Sequence, residues 1–274
     1  MDERANSGGV QSLGRTLEIV EYIHDHGGAR LGELTEDLGF ARSTIYNHLT
    51  TLTGEGYLIK EANTYHLGLQ FLHLGEYTRH RKPEYALARQ RVNQLAEETN
   101  EEVDFTVPEH GRMISLYHSV GDQTSSGLQV GRWFHMHVTA AGKAVMAEMS
   151  DAEIEDIVDT WGLPARTDNT ITDIEELRAE LDQVRDRGYA INDQELLEGY
   201  HSIGVAVKYP TGSSFGALAV GGPTYRIQSS LESSNLIDRL LDAVDGLERD
   251  IAETPTEDAN WWRQNRDVIQ KQDR

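Results

Sequence analysis

Cysteine is absent from this chain of 274 residues, which excludes disulfides, thiolate zinc sites and thiol catalysis together. No apolar run approaches the roughly 18 residues that a membrane span requires. The opening stretch, MDERANSGGVQS, has no apolar segment of the kind a secretory signal needs, so a cytoplasmic location is expected. Two catalytic signatures are missing as well: there is no G-x-S-x-G nucleophile elbow and no dinucleotide fingerprint. Basic residues are scarce. Lys and Arg total 25, only five of them lysine, against 46 Asp and Glu, for a net charge of -21.

Such an acid excess fits a protein from a cell with molar internal salt, whose carboxylate surface holds water and cations. At about 1 M salt the Debye length is only ~3 Å. Distant charges then scarcely sense one another or a polyanion, so acidity shortens the range of nucleic-acid binding without forbidding it.

The first 80 residues are well punctuated. SLGRTLEIVEYIHDHGG reads as a helix with Leu13, Leu17 and Val20 inward, ended by Gly27 and Gly28. LGELTEDLG predicts a short second helix stopped at Gly39, a residue that accepts positive φ. ARSTIYNHLTTLTGEG predicts a third, with Ile45, Leu49 and Leu52 on its inner face. YLIKEANTYHLG then reads as two short strands around a turn at Ala62–Asn63. This order is that of a winged helix-turn-helix domain, residues 10–68. A linker helix over 69–82 ends before Pro83.

A larger α/β domain is expected over 83–251, with a tail over 252–274. It opens on a helix from Glu84 to Thr99, followed by VDFTV and RMISLYHSV as a hairpin of an antiparallel sheet. Ser150 with Glu153, and Thr172 with Glu175, have capping-box spacing. The second box starts a helix with Ile174, Leu177, Leu181 and Val184 inward. YAIND, SIGVAVKY and FGALAVGG read as strands. A closing helix from about Leu231 carries Leu236, Leu240, Val244, Leu247 and Ile251 on one face.

Eleven residues, Gly39 to Leu49, contain no carboxylate although acids make up 46 of 274 residues. With Ile45, Leu49 and Leu52 turned inward, Arg42, Ser43, Thr44, Tyr46, Asn47 and Thr50 remain for a partner. Arg and Asn can pair bidentately with guanine and adenine edges, and hydroxyls reach phosphates. A carboxylate there would oppose the phosphate backbone. Double-stranded DNA is the expected partner, read by a homodimer or homotetramer at a palindromic operator.

Several blocks carry a resemblance. SLGRTLEIVEYI, ELTEDLGFARSTIYNHLTTLTGEGYL and YHLG, followed by MHVTAAGKAVMAEMS, TITDIEELRAELDQVRDRGYAINDQE and FGALAVGGP, closely resemble the IclR family of transcriptional regulators from Val10 to about Ile251. The resemblance implies an α+β architecture: a winged helix-turn-helix domain, a linker helix, and a GAF-like domain that binds a small effector of carbon or organic-acid metabolism. It implies no catalytic residue, no cofactor and no membrane. Asn47 stands where the family often has arginine.

By the same resemblance the effector pocket is formed by Leu128, Thr139, Ala140, Ala141, Gly142, Asn192, Asp193, Ser202, Ala219 and Gly221. Thr139–Gly142 begin a helix, whose unpaired amides favour an anion. Asp193, if inward, would instead take a hydroxyl or amine. Ala219 and Gly221 replace serines common in the family, which implies fewer hydrogen-bond donors and a roomier or more apolar cavity. His135, His137 and His201 are a weaker candidate metal site, since H-x-H on a strand would put two imidazoles on one face. The competing reading is a stand-alone sensory module, or an enzyme, that uses its winged helix for protein contacts.

Overall fold

In a computed structural model, residues 9–121, 130–233 and 235–254 are described. The chain forms two units, residues 1–79 and 80–274.

The first unit contains α1 (Gln11–Asp25), α2 (Leu31–Leu38), α3 (Arg42–Gly54), β1 (Leu58–Glu61), β2 (Thr64–Leu67) and α4 (Gln70–Arg79). Gly39 ends α2 in the left-handed region at φ 68°, which turns the chain into α3. The hairpin turns at Ala62–Asn63, and Ala29 bridges to Tyr65 beside it. Ile19, Ile23, Leu34, Ile45, Leu49, Leu58 and Tyr65 close the core. The expected inner face of α1 needs correction: Leu13 and Leu17 are 59% and 54% exposed, while Ile19 and Ile23 are buried. α1 has two apolar stripes, and only the one facing α2 and the hairpin is covered by its own chain.

The second unit is built on a six-stranded antiparallel sheet. Its strands are β3 (Glu102–Glu109), β4 (Arg112–Ser119), β5 (Trp133–His135), β6 (Ala190–Asp193), β7 (Tyr200–Lys208) and β8 (Ser214–Pro223), ordered β5-β4-β3-β8-β7-β6. α5 (Pro83–Thr99), α9 (Thr224–Ser233) and α10 (Leu236–Glu253) pack on one face. There Val103, Phe105, Ile203, Val205, Leu218 and Val220 meet Val92, Leu95, Leu240 and Leu247. The alternate residues of the same strands face α6 (Ala140–Ala147) and α8 (Ile174–Arg187), with α7 (Asp151–Trp161) beyond.

α6 lies almost on the sheet. A β-carbon at Gly204 of β7 would stand 2.6 Å from the Ala140 carbonyl carbon and the Ala141 nitrogen, so only glycine permits this approach. Three sequence expectations change here. Asp173, not Thr172, caps α8, accepting from the amides of Glu175 (2.9 Å) and Glu176 (3.0 Å). Leu231 belongs to α9, a separate helix that buries Ile227. The segment with His135 and His137 is not one strand, because β5 stops at His135 and a 3-10 turn spans Met136–Val138.

His137 lies 2% exposed in that turn, its Nε2 3.2 Å from the Pro164 carbonyl oxygen. Burial drives its pKa down from 6.5 to about 4. The unfolded chain binds this proton near pH 6.5, so the stabilisation is complete above that pH and disappears as pH falls toward 4. It amounts to about 3 kcal/mol. Denaturant midpoints between pH 7.5 and 4.5 are therefore expected to drop less for His137→Gln than for the parent. Parallel declines would refute this.

Candidate functional site

α3 presents Arg42, Ser43, Tyr46, Asn47 and Thr50 to solvent, with Thr44 partly covered. No residue of the helix is acidic across its 13 positions. Its apolar anchors, Ile45 and Leu49, are fully buried, so the polar side of α3 is held rigidly. Ala41 precedes it with no side-chain cap, which leaves first-turn amides pointing outward. One expected contact is weakened: the Thr50 hydroxyl already donates to the Tyr46 carbonyl at 2.8 Å. It reaches a phosphate only by breaking that bond.

In the second unit, seven expected residues surround one cavity of about 480 Å³, counting its mouth to solvent: Thr139, Ala140, Ala141, Asn192, Ser202, Ala219 and Gly221. The sheet explains their convergence. One rung reads Glu102–Gly221–Ser202–Asn192 and the next Asp104–Ala219–Gly204–Ala190, all on the face opposite the large apolar core. Asn192 is fixed by its neighbours. Its Nδ2 donates to the Ser202 hydroxyl (3.3 Å) and its Oδ1 accepts from the Glu195 amide (2.9 Å).

Two expected residues, Asp193 and Gly142, are not among the cavity walls. Asp193 follows Asn192 on the strand and so points to the other face, where it is 3.4 Å from His201 Nδ1. Gly142 is packed against the Met136 backbone, and its amide donates to the Thr139 hydroxyl at 2.9 Å. Leu128 lies outside the described residues. The helix start is thus poorer in donors than expected, since the Gly142 amide is engaged and the Ala141 nitrogen abuts β7.

Other wall residues escaped the sequence reading, chiefly Asp104, Thr106 and Tyr200. Asp104 is the only charged side chain among the described residues lining the cavity, and its Oδ1 lies 2.9 Å from His118 Nδ1. The Asp104 hydrogen bond raises the pKa of His118 in spite of opposing burial. Thr106 is 6% exposed, and its buried hydroxyl has no hydrogen-bond partner. The Tyr200 hydroxyl fills the space that a β-carbon at Gly221 would need. The roominess expected at Gly221 is therefore occupied by a phenol. Burial first, then the Asp104 and Glu102 carboxylates, push its pKa well above the ordinary tyrosine value, so it stays protonated.

Behind these walls runs a buried ion network. Lys143 of α6 is 1% exposed, with Nζ 2.5 Å from Glu195 and 3.5 Å from Glu180, and Glu180 also meets Arg187 at 2.8 Å. The network joins α6, α8 and the loop after β6. The histidines do not converge: the His135 and His137 rings are 5.7 Å apart, while His201 faces Asp193. Among the described residues, no group of three His, Asp or Glu is placed to hold a metal ion, and no helix is long and apolar enough to cross a membrane.

Comparison with known proteins agrees with both units. Residues 12–62 match the model of the IclR helix-turn-helix domain, and residues 80–249 match that of the bacterial transcriptional regulator IclR C-terminal domain. The chain is 30% identical to the probable HTH-type transcriptional regulator ArcR of Halobacterium salinarum, covering 88% of this chain and 99% of that protein. The source of that relative accords with the acid-rich composition. The chain is 27% identical to the transcriptional repressor IclR of Escherichia coli, over 81% and 83% of the two chains. In fold it is similar to an IclR homolog from Microbacterium hydrocarbonoxydans complexed with 4-hydroxybenzoate, with a TM-score of 0.76, 19% identity, and coverage of 89% of this chain and 100% of that one. The rigid acid-free helix of the first unit, the walled cavity of the second and the two matching family models lead to one conclusion: the chain belongs to the IclR family of transcriptional regulators, with a helix-turn-helix domain for DNA and a C-terminal domain for an effector.

Proposed function

We propose that this regulator reads a palindromic operator in the cytoplasm through Arg42, Ser43, Thr44, Tyr46 and Asn47, with Thr50 as a lesser contact. A small molecule in the cavity of the second unit changes that binding. The observation that carries the reading is the acid-free polar face of α3, held by two fully buried anchors in a chain of net charge -21.

A homodimer is the proposed minimum assembly. α4 buries none of its residues, and Leu69, Leu72 and Tyr77 beside Leu13 and Leu17 of α1 add exposed apolar surface to the first unit. A ten-residue helix with no fully buried residue, held by the Phe71 ring against Tyr57, is marginal in water, so a second copy is the economical cover. Twofold symmetry then matches a palindrome.

The proposed effector is a small hydroxylated organic molecule of carbon or organic-acid metabolism. Its hydroxyl would donate to Asp104 and its other oxygen would accept from Thr106, whose hydroxyl otherwise lacks a partner. Burying such an unsatisfied group costs about 1–3 kcal/mol, which a ligand would recover. The Microbacterium homolog, with a bound hydroxylated aromatic acid, lends this class support.

The test is a band-shift titration with the upstream region of the regulator's own gene. Arg42→Ala is expected to weaken binding by about 1–3 kcal/mol, the cost of one base contact. Ala141→Trp fills the cavity and is expected to keep operator affinity while abolishing the response to the inducer. Unchanged affinity of Arg42→Ala removes that residue from the reading surface. An unaltered inducer response in Ala141→Trp places the effector elsewhere. No shift with any duplex would favour the reading in which the winged helix contacts proteins.

A further inference from the structure

A second cavity adjoins the first, across walls that Phe134 and Leu196 contribute to both. It has an empty volume of about 610 Å³, counting the part open to solvent. Among the described residues its charged walls are cationic: Arg112 at the start of β4, Arg132 before β5, and Arg166 in the segment between α7 and α8. No carboxylate lines it among the described residues. In a chain with 46 acidic and 25 basic residues, three arginines around one hollow run against the composition. The neighbouring effector cavity has the reverse character, with Asp104 as the single charge among its described walls.

The arginines differ in how they are held. The Arg112 guanidinium is stacked 3.5 Å from the Trp161 ring centroid and lies 6.0 Å from that of Trp133. Trp161 is fixed in turn by donating its Nε1–H to the His110 carbonyl at 2.7 Å. A guanidinium edge pairs bidentately with carboxylates. Arg132 sits 5.5 Å from the Phe134 ring centroid. Among the described residues, neither Arg132 nor Arg166 has an ion-pair partner. The other walls are Trp133, 43% exposed, with Phe134, Val138, Leu196 and the imidazole-bearing His135.

We propose that this hollow is a second ligand site, separate from the effector cavity, and that it takes a small carboxylate with a flat apolar body. The carboxylate pairs with the edges of Arg132 and Arg166 beside the stacked Arg112, while the flat body lies along Trp133 and Phe134. A simple inorganic anion would leave the aromatic surface unused. A neutral ring would leave Arg132 and Arg166 unanswered. Molar salt weakens long-range attraction but not a bidentate pair seated on an aromatic wall.

The test uses the full chain in molar KCl, with 4-fluorobenzoate as probe and fluorine NMR as readout. The parent is expected to bind at millimolar probe. Arg132→Gln/Arg166→Gln changes two exposed side chains and is expected to weaken binding roughly tenfold or more, the scale of a lost charge-assisted pair. Ala141→Trp fills only the neighbouring cavity and is expected to bind the probe like the parent. Loss of binding in Ala141→Trp with retention in the double arginine variant would overturn the proposal and assign the carboxylate to the effector cavity. Equal binding by all three, or none by the parent, would overturn it as well. Operator affinity is measured separately, so failure here leaves the regulatory reading standing.

Discussion

Dialysed from about 1 M into about 0.01 M KCl, the protein is expected to unfold. The Debye length grows from ~3 Å to ~30 Å over that change, so carboxylates on different helices begin to repel across the whole second unit. α7 carries Asp151, Glu153, Glu155, Asp156 and Asp159, and α10 carries Asp238, Asp242, Asp245, Glu248, Asp250 and Glu253. The cations nearby are already engaged: Arg178 lies between Glu155 and Glu175, and Arg185 pairs with Asp182. Exposed pairs of this kind each contribute only about 0–1 kcal/mol, too little to offset a net charge of -21. Circular dichroism melts across a KCl series check this. A melting temperature that stays flat from molar to millimolar KCl would reject the high-salt reading. The same series bears on DNA, because the logarithm of affinity falls by about 0.9 per phosphate neutralised for each decade of salt. Arg42 is the only cation of α3 apart from any charge on His48, so a shallow slope is expected.

Lys143→Met is expected to cost about 3–5 kcal/mol of stability at neutral pH, the scale of a buried charge left without its partner. The loss falls on Glu195, because Glu180 keeps Arg187. Molar salt, which masks surface pairs, cannot substitute for a buried lysine. Burial already raises the Glu195 pKa against the pull of Lys143, and removing the lysine raises it further. A group with a raised folded pKa contributes its stabilisation below the unfolded value and loses it as pH rises through the folded one. The deficit of Lys143→Met should therefore shrink as pH is lowered toward 4.5. Adding Glu195→Gln should recover most of it at neutral pH. Chemical denaturation of the parent, single and double variants at two pH values checks both statements. A single variant as stable as its parent at neutral pH would show that the network contributes nothing to the fold.

Much of this architecture was legible in the sequence where period and punctuation agreed. α3 has one apolar stripe, Ile45 and Leu49, and a glycine before it, so its exposed side followed directly. The Ala62–Asn63 turn and the Ser150–Glu153 box were equally explicit. α1 was not, because two stripes satisfy the same helical period and only tertiary packing selects Ile19 and Ile23. The cavity was half visible. Its helix start and the small residues of β8 lie in blocks that resemble the family, whereas Asp104 and Thr106 are polar residues on an interior strand with no motif around them. Asp193 failed on phase: one step along a strand reverses the face, and Asn192 holds the inward place. β5 has three residues, too few for alternation to show.

Tyr200 and Gly221 constrain what this cavity can become over evolutionary time. They sit one rung apart on neighbouring strands, and the phenol stands where any side chain at 221 would begin. A hydroxyl can enter this corner from β8, as a serine at 221, or from β7, as a tyrosine at 200, but a serine at 221 requires the Tyr200 phenol to move aside. Positions 200 and 221 are therefore expected to vary as a pair across relatives, so that a serine at 221 keeps company with a smaller residue at 200.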